Sequence, residues 1–200
     1  MLVRYRMSSK VVTVEPQRSL ADARRLLTKH RIRQLPVLRG PRLVGIVTDR
    51  DLRAAPAGAR AAADVMTAKP FTIAPDVPVD EAARLLREHK INALPVVEKS
   101  KLIGILTTSD VLNAFIDLSG VAEPTYRLVL ASESSKLAVS AIRPVIERAH
   151  GEVKWIHQDP RRATVAHVRL KTRRIDDVVT ALEAAGLEVT TVIAPPRGRA

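Results

Sequence analysis

The chain has 200 residues, 46% of them hydrophobic and 27% charged, which is the balance of a folded globular protein. It contains no cysteine, no apolar run of membrane-spanning length and no signal segment, so we exclude disulfides and expect a cytoplasmic protein with no membrane part. The net charge is +12, but only five aromatic residues are present, which argues against nucleic acid as the main ligand.

An internal repeat organises the first part of the chain. Met7–Leu52 aligns without a gap on Met66–Val111, an offset of 59 residues, and 18 of the 46 positions are identical. A repeated unit normally packs against its neighbour, because one copy alone cannot bury its apolar face. We therefore expect two copies of one small domain, at residues 1–58 and 59–118.

Each copy of the repeat reads as strand, helix, strand, strand and helix. A short β-rich run, VVTV or FTIA, is closed by a proline, which cannot continue a strand ladder. In the first copy Ser19 and Asp22 resemble a capping box at the start of a helix. The runs LPVL and LVGIV, or LPVV and LIGIL, then predict two strands before a second helix.

The second helix of each copy begins in the stretches GIVTDRD and GILTTSD. Asp49 in the first copy and Ser109 in the second are residue types that commonly cap a helix. The threonine and the aspartate three residues later recur in both copies. A helix cap by itself is expected to explain only one residue of that pair.

The rest of the chain follows a different pattern. Residues 119–125 are small, polar and proline-bearing, which predicts a linker. Residues 126–195 alternate as strand, helix, strand, strand, helix and strand, the βαββαβ order of a ferredoxin-like fold. Residues 196–200 are expected to be a disordered tail. The predicted fold class is therefore α+β, with a repeated β-α-β-β-α unit followed by a βαββαβ domain.

The repeated motifs resemble those of the cystathionine-β-synthase (CBS) domain, which occurs in tandem pairs. Both copies carry T-h-x-P at the first strand, h-P-V before the middle strand and G-h-h-T-x-x-D at the end, where h is hydrophobic. The resemblance implies a regulatory protein that binds an adenosine compound, ATP, ADP, AMP or S-adenosylmethionine, in clefts between the repeats.

The resemblance also implies roles for particular residues. A carboxylate accepts two hydrogen bonds at once, so Asp51 or Asp110 would hold the ribose hydroxyls. Thr48 or Thr107, beside a helix N-terminus, would contact phosphate. An apolar slot for the adenine would be lined by Val14, Leu35 and Pro36 in the first copy, and by Ile73, Leu94 and Pro95 in the second. The backbone at Thr13 or Thr72, and around Arg33 or Asn92, would contact the edge of the base. The open alternative is that the Thr–Asp pairs only cap helices.

The positive charge is uneven along the chain. Residues 1–58 carry a net +9, residues 59–123 carry −2 and residues 124–200 carry +5. If only one cleft takes a polyphosphate, the charge favours the cleft of the first copy. The dense basic run Arg24–Arg33 leaves a second function open, a nucleic-acid-binding or protein-docking adaptor.

The C-terminal part resembles an ACT domain, and the combined layout is similar to that of acetoin-utilisation CBS–ACT proteins. The resemblance implies a homodimerising domain, and amino-acid sensing near Ser132–Lys136 is the alternative. An unidentified regulated protein would be the partner. The chain has no GK[ST] loop, no GxGxxG and no HExxH, so we expect neither an enzyme nor a metal site.

Overall fold

The computed structural model describes residues 1–120, 123–132 and 138–195. The chain forms two compact units, Met1–Ala114 and Phe115–Ala200. The predicted tail at 196–200, part of the predicted linker and most of the Ser132–Lys136 turn lie outside the described residues. In the described ranges, no helix is both long and apolar enough to cross a bilayer.

The helix and the strand pair predicted for each repeat are confirmed in the first unit. In the first repeat they are α1 (Leu20–His30), β1 (Gln34–Arg39), β2 (Arg42–Thr48) and α2 (Asp49–Arg53). The second repeat contains β3 (Thr67–Ala68), α3 (Val79–Glu88), β4 (Ala93–Glu98), β5 (Lys101–Thr107) and α4 (Thr108–Ser119). In each repeat the two long strands form an antiparallel hairpin, and β3 pairs with the edge of β2.

The strand predicted at the start of each repeat is wrong in length. Val14 makes a single parallel bridge to Val37, and Ile73 makes the equivalent bridge to Val96. A proline stands two residues after each bridge, and because proline has no N–H the ladder stops there.

The capping box predicted for α1 is only half formed. The backbone N–H of Asp22 donates to the Ser19 hydroxyl over 3.0 Å. The Asp22 carboxylate accepts from Arg25 over 2.8 Å, so the side-chain contact goes along the helix surface.

The two repeats exchange their leading segments. Val3, in the short 3-10 helix Val3–Tyr5, is fully buried in the core of the second repeat, where its N–H donates to the Val77 carbonyl over 2.9 Å. Ala62, in the 3-10 helix Ala62–Asp64, is fully buried in the core of the first repeat. Each core therefore contains residues from both sides of the predicted boundary at residue 58.

Two glycines make room for this exchange. A Cβ on Gly45 would lie 2.9 Å from Cγ of Met66, and one on Gly104 would lie 3.0 Å from Cγ of Met7. Real Cβ atoms very rarely approach another heavy atom this closely. Each glycine thus accepts the methionine that enters from the other repeat, which explains why the Met–Gly pairing occurs in both copies.

The second unit has the predicted βαββαβ order. Its elements are β6 (Tyr126–Ala131), α5 (Val139–Arg148), β7 (Glu152–Gln158), β8 (Val165–Lys171), α6 (Ile175–Ala184) and β9 (Glu188–Ile193). The sheet order is β7-β8-β6-β9, and every neighbouring pair is antiparallel. Both helices pack on one face of the sheet, around fully buried side chains such as Leu130, Ile142, Leu170 and Leu182.

We expect Gly104→Ala to lower the free energy of unfolding by about 1–3 kcal/mol, as overpacking does. The added methyl group would meet the Met7 side chain and also the Ser8 carbonyl oxygen at 3.2 Å, and that backbone atom cannot turn aside. Gly45→Ala is the matched control, because the three atoms nearest to the new Cβ all belong to the Met66 side chain. Urea unfolding of both variants, and of Gly104→Ala with Met7→Ala, measures the effect. A loss in Gly104→Ala no larger than in Gly45→Ala, or no relief from Met7→Ala, would contradict the packing argument.

Candidate functional site

The repeated threonine and aspartate form a complete capping box in the first repeat. The hydroxyl and the backbone N–H of Thr48 both donate to Oδ2 of Asp51, over 2.7 and 2.8 Å. The backbone N–H of Asp51 donates back to the Thr48 hydroxyl over 3.2 Å. The cap of α2 is therefore Thr48, and the expectation that Asp49 caps this helix is wrong.

The second repeat makes the same contacts. The hydroxyl and N–H of Thr107 donate to Oδ2 of Asp110 over 2.6 and 2.7 Å, and the N–H of Asp110 lies 3.4 Å from the Thr107 hydroxyl. Ser109 lies inside α4 and does not cap it. A capping box uses both members of the pair, so the expectation that a cap explains only one of them is also wrong.

A cavity of about 640 Å³ lies between the two repeats. Four of the predicted site residues, Arg33, Asn92, Thr107 and Asp110, line it together. The first repeat also contributes Ser8, Lys10, Val11, Val12, Arg31, Ile32 and Gln34, and the second contributes Ile105, Thr108 and Ser109. The cavity thus combines the Thr–Asp pair of one repeat with the strand and helix ends of the other.

The lining of this cavity is positively charged. Lys10, Arg31 and Arg33 are its basic residues, and Asp110 is its one acidic residue among the described positions. The N-terminus of the 12-residue α4 also opens here, and the first N–H groups of a helix favour an anion. The arrangement is suited to a ligand with a negatively charged end.

The other predicted site residues lie elsewhere. Thr48, at the end of β2, and Asp51, in α2, are half-buried and do not line this cavity. Thr13 and Val14 line a separate cavity of about 420 Å³ beside α1. Leu35 and Leu94 have no exposed surface and belong to the two cores, so their side chains do not form an adenine slot in this structure.

Of the remaining candidates, Pro36, Ile73 and Pro95 are buried, and Thr72 is exposed. The sequence reasoning missed Lys10, Val11, Val12 and Ile105. Lys10 did carry a signal, because Lys69 occupies the matching position of the second copy. The residues of the basic run Arg24–Arg33 make different contacts. Arg24 donates to the Leu52 carbonyl over 2.6 Å, whereas the other end of the run lines the cavity.

No group of three or more histidine, aspartate or glutamate side chains is placed to hold a metal ion within residues 1–120, 123–132 and 138–195.

Both repeats match the CBS domain family, over residues 3–58 and 62–117. Among curated proteins, an inosine-5'-monophosphate dehydrogenase of Korarchaeum cryptofilum is 45% identical over 102 residues, which are 50% of this chain and 21% of that enzyme. The chain spans only about a fifth to a third of the length of the first dehydrogenases that it matches.

Three solved structures are similar to this chain. CBSX2 from Arabidopsis thaliana, in complex with AMP, is 34% identical with a TM-score of 0.55, covering 58% of this chain and 96% of that one. The CBS domain pair of protein MJ0100, in complex with 5'-methylthioadenosine and S-adenosyl-L-methionine, is 30% identical (TM-score 0.56; 62% and 98% covered). The acetoin utilization protein AcuB from Vibrio cholerae is 32% identical (TM-score 0.56; 61% and 95% covered). None of these matches identifies the second unit as an ACT domain, so that assignment stays a prediction.

We expect Asp51→Ala and Asp110→Ala each to lower the free energy of unfolding by about 1 kcal/mol, because each removes one half of a capping box. Asp80→Ala is a control, since this exposed first-turn residue takes part in no capping box. Urea unfolding without ligand measures the change in the free energy of unfolding for each of the three variants. An unchanged stability in both box variants would show that the observed hydrogen bonds do not stabilise the helices.

Proposed function

Because the chain belongs to the CBS domain family, we propose that it is a non-catalytic regulatory protein whose 640 Å³ cavity binds an adenosine phosphate. The observation that carries the proposal is the cavity itself, where Thr107 and Asp110 face the basic residues of the other repeat. Two similar CBS pairs were solved with adenosine compounds, one with AMP and one with 5'-methylthioadenosine and S-adenosyl-L-methionine.

Asp110 is the proposed ribose ligand. Its Oδ2 already accepts the two donors of the capping box, and no described residue donates to its Oδ1. A carboxylate oxygen of this kind accepts a hydrogen bond from a ribose hydroxyl without breaking the box. The capping box would therefore hold the carboxylate in place for the ligand, so the structural and the ligand-binding roles are compatible.

Thr107 is less suited to the phosphate role first assigned to it. Its hydroxyl proton points to Asp110, so it is not available for a phosphate oxygen while the box is closed. The neighbouring hydroxyls of Thr108 and Ser109 are exposed at the start of α4, and the Ser109 N–H belongs to the first turn, which has no acceptor within the helix. We assign the phosphate contacts to this turn and to Arg33.

The charge of the lining bears on which adenosine compound binds. Three basic side chains face one carboxylate in the cavity. Phosphate groups gain from charge-assisted hydrogen bonds to arginine and lysine, whereas the sulfonium of S-adenosylmethionine is itself a cation. We therefore favour AMP, ADP or ATP over S-adenosylmethionine. The basic residues of the first repeat would therefore bind the phosphate of a ligand whose ribose is held by Asp110 of the second repeat. They would not form a separate phosphate site with Asp51 of their own repeat.

Ligand binding would couple the two repeats. Arg33 belongs to the first repeat and Asp110 to the second, so one ligand would touch both. A ligand shifts a conformational equilibrium only by its difference in affinity for the two states. A molecule that needs both residues at once would favour the arrangement that brings them together, and α4 would carry that preference toward Ser119. A protein that recognises this arrangement would be the regulated partner.

Calorimetric titration with AMP, ADP, ATP and S-adenosylmethionine tests the proposal. We expect the phosphates to bind at least about tenfold more tightly than S-adenosylmethionine. Asp110→Ala and Arg33→Gln should each weaken phosphate binding at least about tenfold. Asp51→Ala is the matched control, because it loses the equivalent capping box outside this cavity.

Loss of binding in Asp51→Ala but not in Asp110→Ala would move the site to the first copy. No binding of any compound by the wild-type chain would reduce both Thr–Asp pairs to helix caps.

We also propose that the second unit is an ACT-like domain that joins two copies of the chain. The supporting observation is β9, which lies at an edge of the sheet with Val192 and Ile193 about half exposed. An edge strand with apolar side chains is a template for pairing with another chain. The alternative, amino-acid sensing near Ser132–Lys136, depends on a turn that lies mostly outside the described residues.

We expect Val192→Lys to shift the chain from dimer to monomer, because a lysine on an edge strand opposes strand pairing. Size-exclusion chromatography with light scattering at several concentrations measures the change. Tyr5→Lys is the control, since Tyr5 is an exposed aromatic residue of the other unit. A monomeric wild type, or a Val192→Lys chain that remains dimeric, would rule out this interface.

A further inference from the structure

The face of the second unit's sheet that does not contact α5 and α6 carries two arginines side by side. Leu128 and Leu130 of β6 point into the helix-covered core, so Arg127, one residue before Leu128, points to the opposite face. Arg127 is the direct partner of Arg169 on β8, and Arg169 is the direct partner of Trp155 on β7. Directly opposed residues on antiparallel strands share a face, so the three side chains form a row across the sheet.

Arg169 is a nearly buried cation with no counter-ion among the residues that the structure describes. It is only 8% exposed, and its Nη1 donates to the Thr125 hydroxyl over 3.1 Å. No described carboxylate lies within ion-pair distance of Arg169 or Arg127. Burial, and then the like charge of Arg127, lower the pKa of Arg169. A buried charge is costly unless it is paired, and the nearest charged neighbour here makes it less favourable still.

The remaining donors of Arg169 are not fully enclosed. A guanidinium has five N–H groups, and the Thr125 contact uses one of them. In the described part of the chain, no fully buried side-chain nitrogen or oxygen lacks a hydrogen-bond partner. Nε and Nη2 of Arg169 donate to no described residue, so neither atom is completely enclosed by the described part of the chain. Arg127 beside them is exposed.

Lys154, a nearby cation, differs from the two arginines because it has carboxylate partners. Lys154 is paired with Glu123 over 3.1 Å and with Glu152 over 2.8 Å, so its charge is already balanced. At one end of the row, Trp155 stacks on His157 with ring centroids 5.3 Å apart. The face therefore offers two unbalanced guanidinium groups next to a flat apolar ring.

We propose that this face binds the oxyanion group of a small molecule, a carboxylate or a phosphate, between Arg127 and Arg169 and beside Trp155. Planar guanidinium groups bind such oxygens through paired, charge-assisted hydrogen bonds. The anion would supply the missing counter-charge to both arginines at once. The site is built wholly from the second unit and does not depend on the adenosine cavity.

The fluorescence of Trp155 provides a specific measurement, because it is the one tryptophan in the sequence. The full chain would be titrated with inorganic phosphate and, separately, with acetate, against chloride at constant ionic strength. We expect a saturable change in tryptophan emission with at least one of the two anions. Arg127→Gln should weaken it about tenfold, and Arg169→Gln should abolish it.

Two controls separate this site from other effects. Arg173→Gln removes the same charge from an exposed position just after β8 and should leave the titration unchanged. Asp110→Ala, which disables the proposed adenosine cavity, should also leave it unchanged, so failure of one proposal does not imply failure of the other. If Arg169→Gln does not fold, Arg127→Gln still decides, since Arg127 is exposed.

A response equal to that in chloride, or one that Arg127→Gln leaves intact, would overturn the proposal. If Arg173→Gln weakens the fluorescence response as strongly as Arg127→Gln does, the response is a general effect of net charge and not of this site. Saturation by phosphate alone would identify a phosphate group as the ligand chemistry, and saturation by acetate alone would identify a carboxylate.

Discussion

The first unit depends on the exchange of leading segments between its two repeats. Val3 completes the core of the second repeat, and Ala62 completes the core of the first. Because each core lacks a buried residue without the other repeat's segment, neither repeat is self-sufficient. The reciprocal contacts at Gly45 and Gly104 bring the backbones close enough for the cavity between the repeats to be lined from both.

Helix capping and ligand binding depend on different features of the first unit. Both repeats form the same box of threonine and aspartate, with similar distances. What differs is that the second box lines the cavity, across from Arg31 and Arg33 of the first repeat, whereas Thr48 and Asp51 do not line it. A local motif thus positions a carboxylate equally well in two places, while the charge across the cleft determines what that carboxylate can help to bind.

The second unit differs from the cavity in how its charges are arranged. In the cavity, cations lie across from a carboxylate, whereas on the sheet face away from the helices Arg127 and Arg169 lie next to each other. The period of two along each strand places both on the surface away from the helices. The energetic cost of keeping Arg169 nearly buried beside a like charge is the physical reason to look for an anion there.

The sequence alone determined the repeat, the helix and strand pair within each copy, the element order of the second unit and the resemblance to CBS domains, because periodicity and turn residues act over a few neighbours. It also identified Arg33, Asn92, Thr107 and Asp110 as site candidates. It could not show that Leu35 and Leu94 are core residues, because burial depends on what packs over a strand. Only the tertiary structure decided that Lys10 lines the same cavity as Asp110, since contacts between distant segments depend on how the two repeats exchange their leading segments.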